Sequence, residues 1–270
     1  MNIIVCVKQV PDTNEVRINQ ETGTLIREGV PSIINPDDKN AIEEALRIRE
    51  KFGGKVAVIS MGPPQAKEAL KESVAMGVDE TYLVSDRAFG GSDTWATATI
   101  IAEAINYVSK KIGGYDIVFC GRQAIDGDTA QVGPEIAEFL QIPQVTYTKN
   151  LKIKEDGVLL VTRGAENADY LIEVQTPALL TAIKELNDPR YMTCRGISKA
   201  YSPDYDSKIN VLTQEELQVD LSQIGVKNSP TNVYRSFVPV KEKNTEIIEG
   251  LNGKDMAAAL IGKLKERKLI

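Results

Sequence analysis

A chain of 270 residues with 42% hydrophobic content can bury a full core, as one large domain or one domain plus an appendage. Its net charge of −6 argues against non-specific nucleic-acid binding, and no aromatic-basic motif supports such binding. The sequence has no histidine, the usual general base and commonest transition-metal ligand, and Cys6, Cys120 and Cys194 stand far apart with no CxxC; triad hydrolases, zinc centres and cysteine-ligated iron–sulfur clusters are therefore disfavoured. Chemistry is expected from a bound cofactor. No apolar run approaches a membrane span and no signal-peptide pattern opens the chain, so a soluble, cytoplasmic protein is expected, with no metal and no membrane insertion.

In chain order, Asn2 to Val7, Lys55 to Met61, Glu80 to Ser85, Tyr115 to Cys120 and Gln144 to Tyr147 read as strands. Helical periodicity runs through Asn40 to Phe52, Pro64 to Met76 and Thr94 to Lys110, with a further helix-like stretch from Glu135 to Leu140. The alternation predicts an α/β fold, a mainly parallel sheet with helices on both faces, because strands this apolar need cover on either side. After Pro143 the pattern changes. Asn150 to Lys154, Gly157 to Arg163 and Tyr170 to Val174 read as an antiparallel hairpin extension, followed by a buried strand within Pro177 to Ile183 and a loop at ELNDPRYM. From Ser202 the chain reads as extended. Residues 226–270, with a small-residue-rich helix at Lys254 to Lys268, form an arm with too little apolar bulk for its own core, docking on a partner or folding back on residues 1–225.

Candidate ligand groups fall in the loops after the strands. The segment GRQAIDGDTAQVGP, Gly121 to Pro134, sits between a strand and a helix start, where glycines allow close backbone approach and free N–H groups can hold phosphate; an ordinary glycine turn is the alternative. Asp128 and Thr129 are candidate N-caps. The first strand ends in Val7 to Asp12 without the GxGxxG turn of a dinucleotide fingerprint. Open α/β sheets nonetheless bind ligands beyond the carboxyl ends of their strands, where Cys6, Met61 to Pro63, Ser85 to Thr94 and Gly121 to Pro134 are expected to converge. In Asn35-Pro36-Asp37-Asp38, capping suffices for the aspartates, while Asn35 could read a base or ribose edge. The SDRAFGGSDT loop could hold phosphate or approach a planar ring, or serve as a plain loop and cap.

With these residues in place, the chain resembles the β subunit of electron transfer flavoproteins through VCVKQVPD, INPDD, SMGPP, GRQAIDGDTAQVGP, PALLTA and ELNDPRY, over essentially its whole length. The resemblance implies a Rossmann-like, adenine-nucleotide-binding domain, an α-subunit partner, and an extended C-terminal arm packing on that subunit. The glycine-rich loops DRAFGGSDT and IDGDTAQVGP resemble the electron-bifurcating type, which implies FAD in this subunit and a second FAD in α. It implies NADH as electron donor, with ferredoxin or flavodoxin and an acyl-CoA dehydrogenase-type protein as acceptors. The alternative is a non-bifurcating carrier holding a structural AMP. Carried over residue by residue, the cofactor contacts fall at Cys6, Asn35, Pro36, Asp37, Asp38, Met61, Gly121, Arg122, Gln123, Ala124, Ile125, Asp126, Gly127, Asp128, Thr129, Ala130, Gln131 and Val132. Asp93 and Thr94 are added for the longer ligand. Gly127 and Ala130 are expected to leave room rather than make bonds, and no side chain is expected to act as a catalyst. Leu186 matches the leucine by which the family recognises acyl-CoA dehydrogenases, the alternative being a residue tucked into its own core. Glu166 to Tyr170 depart from the acidic-glycine pattern of the family signature, which removes support for a partner contact there.

Overall fold

The computed structural model describes residues 1–12, 31–154, 156–234, 245–250 and 252–270. The first compact unit, Met1–Val233, is built from β1 (Ile3–Val7), β2 (Gln9–Pro11), β3 (Ser32–Ile34), α1 (Pro36–Phe52), β4 (Val56–Met61), α2 (Lys67–Met76), β5 (Glu80–Val84), α3 (Thr94–Ile112), β6 (Ile117–Gly121) and α4 (Val132–Leu140). There follow β7 (Gln144–Ile153), β8 (Val158–Gly164), β9 (Asp169–Gln175), β10 (Ala178–Ala182), α5 (Cys194–Ala200), β11 (Asn210–Leu212), α6 (Gln214–Leu217) and α7 (Gly225–Asn228). Among the described residues one sheet has the order β11-β5-β4-β1-β6-β10-β7-β8-β9. From β11 to β7 every neighbour is parallel, and β8 and β9 add the antiparallel edge.

Strand apolarity follows from this layering. Ile3, Val5, Ile117 and Phe119 pack with residues of α1 and α2, while Ile4 and Val118 pack with residues of α3 and α4, so neither side of β1 or β6 meets water. The order of strand addition reverses at β1: β4 and β5 extend the sheet on one side of it and β6 lies on the other. Such a switch point leaves a crevice at the strand ends.

Several elements differ from the sequence reading, among them α1, which opens at Pro36 rather than Asn40, and α5, which was not expected. The segments around Gln144 and Asn150 form one strand, β7, whose register shifts against β8 between Thr148 and Asn150 and where Tyr147 takes a left-handed backbone, φ 57°. Helix α4 opens at Val132 rather than Glu135, with no side-chain cap from Asp128 or Thr129. The stretch after Ser202 is not merely extended: β11 adds the far parallel strand beside β5, and α6 opens with a Thr213–Glu216 capping box.

Residues 226–233 lie within the first unit, whose boundary falls at Val233 rather than 225. The Thr231 N–H and hydroxyl both donate to Asp93 Oδ2 at 2.8 Å, and Asp93 N donates to Ser229 Oγ at 2.9 Å. The second unit, Tyr234–Ile270, contains α8 (Gly253–Glu266), capped by Asn252 Oδ1, which accepts from Lys254 N at 3.0 Å and Asp255 N at 3.1 Å. Part of the expected arm, residues 235–244, lies outside the described residues.

Candidate functional site

The carboxyl ends of β1, β4, β5 and β6 open onto a cavity of about 980 Å³ with a mostly apolar lining. Its walls are the expected loops: Met61 to Pro64, Ser85 to Thr94 apart from Ala88, and Gly121 to Gly133 apart from Ile125 and Asp126. Cys6, Asp38, Met61, Asp93, Thr94, Gly121, Arg122, Gln123, Ala124, Gly127, Asp128, Thr129, Ala130, Gln131 and Val132 therefore come together, as does Gly133. Asn35, Pro36, Asp37, Ile125 and Asp126 do not line it.

The reason is clearest at Asn35, which is fully buried. Its amide donates to Gln123 O at 2.9 Å and Asp38 Oδ1 at 3.1 Å, and its Oδ1 accepts from Ile125 N at 3.1 Å. Asn35 fastens the Gly121 to Gly133 loop from behind, both its amide hydrogens and its Oδ1 being engaged by protein groups. Asp126 acts similarly, through an ion pair with Lys8 Nζ at 2.7 Å. Asp37 pairs with Arg122 Nε at 3.4 Å, while burial pushes its carboxyl up.

Asp38 reaches the cavity wall but is held by backbone. Oδ2 accepts from Lys8 N at 2.7 Å, and Oδ1 accepts from Gly121 N at 2.9 Å. It thereby joins the ends of β1 and β6 to the first turn of α1. Burial raises its carboxyl to about 7 despite these donors. Gly121 is obligatory here, since a Cβ would lie 2.2 Å from Asp38 Oδ1.

The loop that follows is shaped for a ligand by its backbone. Asp128 and Ala130 take left-handed conformations, φ 51° and 53°, in the segment running into the N-terminus of α4. Residues adopt that conformation at a cost that persists where a site requires it. A Cβ at Gly127 would meet nothing within 4 Å, so this position faces open space. Opposite, Asp93 caps α3 through Ala96 N at 2.9 Å while holding Thr231, and Thr94 Oγ1 donates to Glu135 Oε1 at 3.1 Å, tying the two walls together. Asp93 is thus fully engaged by protein groups. The second Glu135 oxygen is buried without a partner, and burial pushes that carboxyl up.

The lining fits a dinucleotide in kind. Free N–H groups where α4 begins suit phosphate oxygens, and the apolar walls suit planar rings. The described residues contain no cluster of three or more metal-ligating side chains and no helix long and apolar enough to cross a membrane.

A family model described as the electron transfer flavoprotein domain matches residues 22–214. The chain belongs to the electron transfer flavoprotein family. Full-length relatives place it with the beta subunits: an electron transfer flavoprotein subunit beta of Thermoanaerobacterium thermosaccharolyticum is 57% identical over 270 residues, covering all of both chains. One of Clostridium acetobutylicum is 56% identical over 271 residues, again covering both chains fully. The chain is also similar, at 52% identity over the full length of both, to the caffeyl-CoA reductase-Etf complex subunit CarD of Acetobacterium woodii.

Sequence reasoning missed Lys8, Val84, Thr97, Ile101, Cys120 and Ile136 as lining residues. Thr97 and Ile101 follow Asp93 at intervals of four along α3, so helical spacing alone could have found them. Leu186 is half-buried and packs against the α1/α2 core layer, whereas Tyr191, five residues on, is 95% exposed. Its loop is clamped to α1. Asn187 Nδ2 donates to Asn40 O and to Glu44 Oε2, each at 3.0 Å, and Arg190 pairs with buried Glu43 at 2.7 Å and with Glu50.

Proposed function

We propose that the cavity of this beta subunit takes FAD, and that with an alpha subunit carrying a second FAD the protein oxidises NADH and bifurcates its electrons to ferredoxin or flavodoxin and to an acyl-CoA dehydrogenase-type partner. The observation that carries this reading is that one cavity joins both glycine-rich loops, Ser85 to Thr94 and Gly121 to Gly133. Its volume of about 980 Å³ stands at the top of the range of roughly 300–1,000 Å³ common for small-molecule sites, more than a mononucleotide fills. The names of relatives support the final acceptor. Besides the caffeyl-CoA reductase complex subunit, the acryloyl-CoA reductase electron transfer subunit gamma of Anaerotignum propionicum is 46% identical, with both chains fully covered.

FAD bound here would supply the redox chemistry, two-electron exchange with a nicotinamide and one-electron exchange with carriers. The chain's own residues bind and orient it. The backbone from Asp128 to Val132 and the α4 N-terminus would hold phosphate oxygens, Gly127 would leave passage, and the Gly90 and Gly91 loop would let a planar ring approach closely. Asn35, Asp38 and Asp126 hold the loops in place, and Leu186 presents the dehydrogenase-docking loop with α1 behind it.

Cofactor counting on the purified heterodimer tests the reading. Two FAD per heterodimer, with flavin bleaching on addition of NADH alone, is the expected result. One FAD with one AMP and no bleaching by NADH would instead establish the carrier type.

A further inference from the structure

Two thiols sit side by side at the cavity, Cys6 among the expected cofactor contacts and Cys120 next to it. Cys6 of β1 and Cys120 of β6 are direct register partners in the parallel ladder. Both turn to the same side of the sheet: Cys120 is buried in the α3/α4 layer, and Cys6 packs against that layer. Both border the cavity, and neither is in a disulfide. Neighbouring strands run about 4.8 Å apart, which falls inside the roughly 4.4–6.8 Å Cα separation that a disulfide spans.

The two are not equivalent. Cys120 is buried, and its hydrogen bond with Cys6, together with burial, pushes its thiol up. Cys6 is half-buried, so a reagent entering the cavity meets it first. That is the arrangement of an attacking thiol with a resolving thiol behind it.

We propose that Cys6 and Cys120 form a redox-active dithiol on the cavity floor, a modification site that small-molecule disulfides convert to a protein disulfide. The Cys6 sulfur attacks one sulfur of the reagent, forming a mixed disulfide and expelling one reagent thiol. The Cys120 sulfur then attacks Cys6, closing the protein disulfide and expelling the second reagent thiol. The two protein thiol protons end on the two expelled thiols, so the chain loses two hydrogens and the reagent disulfide is reduced. The new bond ties the ends of β1 and β6, which carry Lys8 and the Gly121 loop. Strand register and cavity lining carry this site, so it does not depend on whether the cavity holds FAD or AMP.

Dithiodipyridine treatment of the purified heterodimer tests it, with the complex as isolated and after its nucleotides are removed, followed by alkylation and peptide mass mapping. The expected result is a Cys6–Cys120 linked peptide pair, reversible by dithiothreitol, that forms at least tenfold faster in the nucleotide-free complex, while Cys194 carries a simple pyridyl adduct. In Cys120→Ser the pyridyl adduct should remain on Cys6, because nothing resolves it. Recovery of Cys6 and Cys120 as alkylated thiols in both states, with Cys194 modified, would overturn the proposal. So would a persistent Cys6 adduct in the wild-type chain. Both readouts are independent of the cofactor count, so either reading can fail alone.

Discussion

Two glycines of the loop from Gly121 to Gly133 have opposite jobs, and substitution separates them. At Gly121 a Cβ would lie 2.2 Å from Asp38 Oδ1 and 2.9 Å from Asp38 N, so Gly121→Ala must push α1 away from β6. We expect a stability loss of about 1–3 kcal/mol, typical of overpacking, read from chemical denaturation. Gly127 faces open space, so Gly127→Leu should leave the denaturation midpoint within about 0.5 kcal/mol of wild type. It should nonetheless reduce the flavin bound by the beta subunit at least tenfold, because the side chain enters the cavity. Equal flavin content in both proteins would remove Gly127 from the ligand path. Asp38 gives a pH signature. Its carboxyl is raised by burial from 3.8 to about 7, so the folded chain holds a proton that the unfolded chain releases across that interval. Asp38's contribution to stability is therefore fully present below about pH 4 and is lost as pH rises to 7. Asp38→Asn removes this titration, and its stability should fall less steeply than wild type between pH 4 and 7. Parallel slopes would show that Asp38 stays ionised throughout.

At the scale of elements, the clamp between α1 and the 187–190 loop rests on Glu43. Burial alone would raise that carboxyl, but hydrogen bonds from Arg190 and Arg47 outweigh it and hold it below the usual value. Arg190→Ala leaves Arg47 in place, so the loss should be about 1–3 kcal/mol, below the roughly 3–5 kcal/mol of a fully broken buried pair. A depressed carboxyl stabilises the fold above its unfolded pKa and ceases to do so as pH falls through its folded pKa. The gap between variant and wild type should therefore shrink below about pH 4, and a gap unchanged with pH would exclude Glu43 as the cause. The central strands were legible because each is apolar on both faces, as at Ile3 to Val7, a pattern fixed locally by burial. What stayed hidden depends on distant partners. The three residues of β11 become a strand only by pairing with β5, and Tyr147 leaves the regular strand conformation in an interior stretch of β7 where its N–H donates to the Thr181 hydroxyl. Asn35 follows the same rule: its sequence neighbours suggest a ligand loop, whereas its hydrogen-bond partners lie 88 and 90 residues away at Gln123 and Ile125. The cavity's walls could be read from glycines and caps, whereas the assignment of each polar side chain to ligand or to protein needed the fold.

For the whole molecule, the second unit is the part least able to stand alone. On α8, Met256, Leu260 and Ile261 are exposed and share one side of the helix with half-buried Leu264, at spacings of four, five and eight from Met256. No residue of α8 is buried in this chain. An apolar stripe of this kind is stabilised once a partner covers it, and we propose the alpha subunit as that partner. Leu260→Glu with Ile261→Glu keeps good helix character at one position and places two charges on the stripe. The double variant should weaken alpha–beta association at least a hundredfold, since each desolvated anchor contributes more than about 1 kcal/mol and each buried charge adds its own penalty. Unfolding of the Met1–Val233 unit should be unchanged, because both substitutions fall in the other compact unit. Analytical ultracentrifugation of the mixed subunits reads the first effect and chemical denaturation of the beta chain the second. Undiminished association would place the interface elsewhere, whereas a shift in unfolding of the beta chain would mean that α8 folds back on its own domain.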